Sequence, residues 1–139
     1  MFTAAATAIP ILLLSLLSSV AAYKGDMTFF YPGLGSCGAY SVDSDYVVAL
    51  HPTKMADKAN VCFSRIRIWN PDGGRSAEAT IVDTCMGCVT EESIDVSPAL
   101  FQTIAPHGDG RVHGICWGGD RAGGKRVRRR SEQEVENRE

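Results

Sequence analysis

Long apolar runs are scarce in this chain. The only one covers residues 9–17, well short of the roughly 20 residues that span a bilayer, and nothing after residue 22 is apolar enough to take that role. Basic charge is missing where a nucleic-acid binder would carry it. Residues 23–119 hold 7 Lys/Arg against 11 Asp/Glu, a net of −4, whereas phosphate binding requires a basic surface. No Asn-x-Ser/Thr sequon is present, so N-glycosylation is not expected. His51, His107 and His113 show no ligand spacing, and Cys37 and Cys62 stand too far apart in sequence to act as a close ligand pair. A zinc site is therefore not expected, and neither is any other metal or cofactor. No internal repeat is evident.

What the chain does contain begins with a leader. The apolar run is followed by Ser18, Ser19, Val20, Ala21 and Ala22, small residues with Val20 and Ala22 placed for cleavage before Tyr23. No Lys or Arg precedes the run, so the terminal amine is its only positive group. Residues 1–22 are expected to be a cleaved signal peptide, which makes the protein secreted and extracellular. Residues 23–119 then make one domain. Residues 120–139 carry 7 basic and 5 acidic residues, Gly-rich at first, then basic, then acidic, with no apolar periodicity. They are expected to form a disordered charged tail, and Lys125-Arg126 or Arg129-Arg130 would suit a dibasic-specific protease.

In an oxidising compartment the five cysteines, Cys37, Cys62, Cys85, Cys88 and Cys116, read as two disulfides plus one thiol. Cys37, Cys62, Cys85 and Cys88 are the expected participants and Cys116 the free one. Four cysteines allow three pairings, and the sequence does not choose among them. A bridge from Cys37 to Cys85 or Cys88 would close about 50 residues and contribute roughly 4 kcal/mol. The Cys85-x-x-Cys88 pair belongs to this framework. A redox pair normally opens a helix, and residues 89–93 carry no apolar helical stripe.

Strands and turns fill the body. Residues 27–31 are a short aromatic run ended by Pro32-Gly33. Residues 46–50 are apolar and partly β-branched. Residues 65–69 alternate, with Ile66 and Ile68 on one face and Arg65, Arg67 and Trp69 on the other. Asn70-Pro71-Asp72-Gly73-Gly74 is a turn. Residues 77–83 and 111–117 are further strands. Ser97 suits an N-cap and Pro98 the first helical position, so a short helix should start there. This pattern predicts a mainly β closed barrel.

Several motifs carry a resemblance. Gly25-Asp26-Met27-Thr28-Phe29-Phe30-Tyr31, then Gly35-Ser36-Cys37-Gly38, then Asp45-Tyr46-Val47-Val48-Ala49-Leu50 are similar to the opening of secreted double-psi β-barrel proteins. Val82-Asp83-Thr84-Cys85 and Ile94-Asp95-Val96-Ser97-Pro98-Ala99-Leu100-Phe101 resemble that family's central motifs. Gly110-Arg111-Val112-His113-Gly114-Ile115-Cys116-Trp117 resembles its closing strand. The family includes the barwin-like, expansin-like and RlpA-like domains, and the nearest look-alikes are stand-alone domains secreted by fungi. The resemblance spans residues 25–118 and implies a six-stranded double-psi β-barrel with one or two short helices.

It also implies a groove that holds polysaccharide. By position, Thr28 matches the first-strand threonine, Asp83 the aspartate before the cysteine pair, and Asp95 the aspartate placed where a general acid would sit. The chain departs from the pattern at three places. Cys85 stands where expansins carry a tyrosine, Cys116 precedes the tryptophan, and Gly118-Gly119 replace apolar residues. In hydrolase relatives a base follows the first-strand tyrosine; here Pro32, Gly33 and Leu34 occupy that place, and Asp26 lies on the wrong side of it.

Both aspartates also have a structural reading, because an aspartate at a strand end often accepts backbone N–H bonds. Catalysis would need one carboxyl kept protonated by burial, and inverting hydrolysis a second across about 6.5–9.5 Å. Phe29, Phe30, Tyr31, Tyr40, Tyr46 and Trp69 are able to stack on sugar rings. Aromatics more often fill a core, so half of these are expected inside, with Tyr31, Tyr40 and Trp69 the surface candidates. The expected function is that of a monomeric, non-enzymatic binder of wall glucan or chitin. One alternative is a secreted protease inhibitor or host-directed effector working through protein contact. The other is a weak glycan-cleaving enzyme with Asp95 as acid.

Overall fold

A computed structural model describes residues 22–119. The expected leader, apart from Ala22, and the expected tail lie outside the described residues. In chain order the elements are β1 (Ala22–Phe29), β2 (Val47–Leu50), α1 (Lys58–Val61), β3 (Arg65–Asn70), β4 (Arg75–Thr84), β5 (Ile94–Val96), α2 (Pro98–Ile104) and β6 (Arg111–Gly118). The strands close into one barrel in the order β1-β5-β2-β4-β3-β6. Pairs β1–β5 and β2–β4 are parallel. The other neighbours run antiparallel. Among the described residues, closure leaves no unpaired sheet edge to recruit another chain.

Alternation explains what fills the barrel. Ile66 and Ile68 on β3 are buried while Arg65 and Arg67 are exposed. Met27, Val48, Leu50, Ile81, Ile94 and Val96 bring the core-facing side of four more strands inward. Trp117 on β6 is fully buried and donates its indole N–H to the Glu92 carbonyl at 2.7 Å, so its one polar atom is satisfied. Helix α2 begins at Pro98 and buries Leu100, Phe101 and Ile104. The turn after β3 closes with the Gly74 N–H donating to the Asn70 carbonyl at 2.9 Å.

The structure corrects several expectations. Ser97 stands at the N-cap position, but its hydroxyl donates to the Asp45 carbonyl and makes no cap bond. A long-range partner has displaced the local one. None of the six candidate aromatics enters the fully buried core. Phe29 and Tyr46 are exposed, and the buried rings are Phe101 and Trp117. β1 starts earlier than the aromatic run and stops before Tyr31.

The disulfides are Cys37–Cys62 and Cys85–Cys88, and Cys116 is a free thiol. No bridge links Cys37 to the Cys-x-x-Cys pair. The Cys37–Cys62 bridge spans a sequence separation of 25, which loop-closure entropy converts to about 3.5 kcal/mol. It ties the loop between β1 and β2 to the end of α1.

Candidate functional site

The site is a row of side chains laid across the barrel by strand register. Thr28 on β1 pairs with Asp95 on β5. Asp95 pairs with Ala49 on β2, and Ala49 with Asp83 on β4. Residues paired in a ladder share one face of the sheet, so these four side chains form one transverse line. At its other end Thr28 pairs with Arg111 on β6. Ala49 is the small member and is buried between the two carboxylates. Asp83 and Asp95 are two strand spacings apart, about 9–10 Å between backbones.

A bulge aims Asp83. Val48 pairs with Ile81, yet Ala49 pairs with Asp83, so Val82 is an extra residue on β4. In a regular ladder Asp83, two residues on from Ile81, would share its face and point into the core. The loop from β1 packs onto this bulge. The Cys37 N–H donates to the Val82 carbonyl at 3.1 Å, and a Cβ on Gly35 would lie 2.3 Å from that same oxygen. Only glycine lets the loop come this close. The approach brings the Ser36 N–H to Asp83 Oδ1 at 2.8 Å, where the Thr84 N–H also donates at 2.7 Å. The Ser36 and Thr84 hydroxyls meet at 2.8 Å.

Asp95 is set differently. Its Oδ1 accepts the Thr28 hydroxyl at 2.9 Å. Burial raises its pKa above the ordinary value. The Thr28 bond and Arg111 pull the other way, and the Asp83 charge adds to the rise. One carboxylate is thus held by backbone donors, and the other is half-buried and holds its proton more tightly than an ordinary carboxyl does.

Arg111 also serves a second acid. It donates to Asp26 Oδ2 at 3.1 Å, while His113 Nδ1 lies 2.8 Å from Asp26 Oδ1. The His113 hydrogen bond is the chief cause of a lowered Asp26 pKa. A second bulge makes this pairing. Gly25 pairs with Ile115 but Met27 with Val112, so His113 and Gly114 together face Asp26. Gly114 has φ +74°, a backbone state that glycine adopts without strain.

The structure brings Thr28, Asp83 and Asp95 into one row. Tyr31 and Tyr40 are 73 % and 81 % exposed on the loop that borders the Asp83 end. That loop is held as a hairpin by the Gly35 N–H to Ala39 carbonyl and Ser41 N–H to Gly33 carbonyl bonds. Trp69 is not part of the row, since β3 lies opposite β5 in the ring. An open cleft adjoins Asp83, lined by Ser36, Pro52, Met55, Lys58, Thr84 and Met86. Sequence reasoning did not select Ala49, Ser36, Thr84 or Arg111. Their importance comes from register and from the Val82 bulge, neither of which leaves a local signal. Among the described residues, no three His, Cys, Asp or Glu side chains converge as a metal ion would require.

No family model matches the chain. A protein described as "Allergen Asp f 7 homolog" from Arthroderma benhamiae is 30% identical over 110 residues, covering 67% of this chain and 37% of that protein. The chain therefore spans little more than a third of the length of this curated relative. Among solved structures, the Streptomyces papain inhibitor superposes with a TM-score of 0.61 at 27% identity, covering 72% of this chain and 96% of the inhibitor. An expansin from Clavibacter michiganensis superposes with a TM-score of 0.59 at 18% identity as a mutant in complex with cellohexaose. That match covers 70% of this chain and 49% of the expansin. Its apo form gives the same TM-score at 21% identity.

Proposed function

Because the chain belongs to the double-psi β-barrel family of RlpA-like, barwin-like and expansin-like domains, we propose that it is a secreted protein that binds cell-wall polysaccharide, glucan or chitin, without cleaving it. The transverse row Thr28–Asp95–Ala49–Asp83 carries this reading. It offers two carboxylates as acceptors for sugar hydroxyls, on either side of the buried Ala49. Hydrolysis by inversion needs a free base as well as an acid. Asp83, the only other carboxylate in the row, has its Oδ1 taken by two backbone N–H groups, which leaves Oδ2 to accept from a sugar hydroxyl. The place where hydrolase relatives carry a base holds Pro32, Gly33 and Leu34. Asp95 then grips a chain without a partner to activate water.

The test is depletion from solution by insoluble cellulose, chitin and fungal wall across a salt series. Binding through hydroxyl contacts and stacking should change little between low and high salt, because a neutral sugar offers no charge to screen. A steep loss with salt would point to adhesion through the basic tail instead.

One observation favours a second reading. Tyr31, Leu34, Tyr40 and Val42 are all exposed on the loop that the hairpin bonds and Cys37–Cys62 hold in place. A preorganised apolar loop suits contact with a protein, and the similar Streptomyces protein is a papain inhibitor. If this reading holds, the protein inhibits a papain-type protease, Tyr40→Ala weakens the inhibition, and no wall fraction depletes it.

A further inference from the structure

We propose that the Cys85–Cys88 disulfide is a thiol–disulfide exchange site that opens to a dithiol while the barrel and the Cys37–Cys62 bridge stay intact. The two bridges stand in different surroundings. Cys37 and Cys62 are part exposed, as Cys88 is, but both pack against the hydrophobic core and their bridge spans a sequence separation of 25, so separating their sulfurs frees a long loop from the interior. Cys85–Cys88 closes a sequence separation of only 3. Between and beyond its sulfurs lie Met86, 81 % exposed, Gly87, and Val89, 76 % exposed. Cys85 is buried, whereas Cys88 is part exposed, which makes Cys88 Sγ the reachable atom. Opening stays local because the chain is pinned on both sides. The Cys85 N–H donates to the Leu50 carbonyl at 2.7 Å, and the Glu92 carbonyl accepts the Trp117 indole N–H.

In the exchange, a thiolate of the incoming dithiol attacks Cys88 Sγ. The S–S bond breaks and its electron pair leaves on Cys85 Sγ, which takes a proton from solvent. The second thiol of the dithiol loses its proton and attacks the mixed disulfide. This releases Cys88 as a thiolate and leaves the reagent as a cyclic disulfide. The protein cystine is reduced and the dithiol oxidised, with two electrons transferred. Residues 89–93 form turns and bends rather than a helix, so no helix N-terminus activates either cysteine as a standing nucleophile. The pair is an acceptor of exchange, and not a thioredoxin-like donor. Thr84 and Met86 line the cleft beside Asp83, so opening the bridge loosens one lip of that cleft. This holds whatever the groove binds.

The experiment treats the full chain, native and as Cys116→Ser to remove the spare thiol, with dithiothreitol under native conditions, alkylates at intervals, and maps the label by mass. Cys85 and Cys88 should be labelled at least about ten-fold faster than Cys37 and Cys62. Hydrogen exchange should rise over residues 84–90 and hold steady in the strands. The double variant Cys85→Ala/Cys88→Ala should fold and show no fast labelling. Simultaneous opening of both bridges, earlier opening of Cys37–Cys62, or labelling only once the strands exchange would overturn the proposal.

Discussion

Asp95 separates a binding role from a structural one. Burial raises its pKa, so the folded state holds its proton more tightly than the unfolded chain does. Stability from this group is fully present below the unfolded value, near pH 4, and is lost as pH rises through the folded value. At neutral pH the ionised Asp95 is therefore a cost to folding. Asp95→Asn keeps an acceptor for the Thr28 hydroxyl and removes the charge. Its Tm at pH 7 should equal that of the native protein or exceed it by up to about 3 °C, and the difference should fade near pH 3. A drop in Tm at pH 7 would mean that Asp95 is held for stability instead. Asp26 has the opposite sign. The His113 bond lowers its pKa, so its contribution is present above about pH 4 and is lost as pH falls. In Tm scans from acid to neutral, Asp26→Asn should flatten the decline on the acid side and leave groove binding unchanged. Position along the chain marked Asp83 and Asp95 as candidates, but not their environments. That Asp83 is tied to backbone N–H groups while Asp95 is half-buried depends on the loop at Ser36 and on Thr28, far away in sequence.

At the scale of elements, legibility followed the range of the interactions. β3 was readable because its alternation is strict, and the turn after it because Asn70, Pro71 and Gly73 act locally. The start of α2 was readable from Pro98, yet the Ser97 hydroxyl went to Asp45 rather than to the helix. β5 is three residues long, too short for any period, and takes its form from its neighbours β1 and β2. The disulfide pairing and the Val82 bulge are consequences of packing that no stretch of sequence encodes by itself. The bulge and the loop over it act as one unit, and Gly35→Ala tests that unit. Its new Cβ would collide with the Val82 carbonyl, which is backbone and does not swing aside. We expect a loss of about 2–4 kcal/mol by denaturant titration, together with loss of wall binding as Ser36 is pushed off Asp83. An unchanged stability would show that the loop does not rest on the bulge.

At the scale of the whole molecule, the described residues form a closed barrel with a filled core that carries its polar row on the outer face of the sheet, as a template. A template of this kind suits a ligand that is long and repetitive. It supplies register and acceptors, and a single candidate acid without a free base. The measurement that tests this account most directly combines depletion by insoluble wall polysaccharide with an assay of soluble sugar, on the native protein and on Asp95→Asn. The account predicts that the native protein is depleted, that the substitution weakens binding by about ten-fold, as for a lost hydrogen bond to a charged group, and that neither form releases sugar. Sugar release that disappears with Asp95→Asn would contradict it by revealing an enzyme, and failure of the native protein to bind any wall fraction would contradict it by removing the ligand.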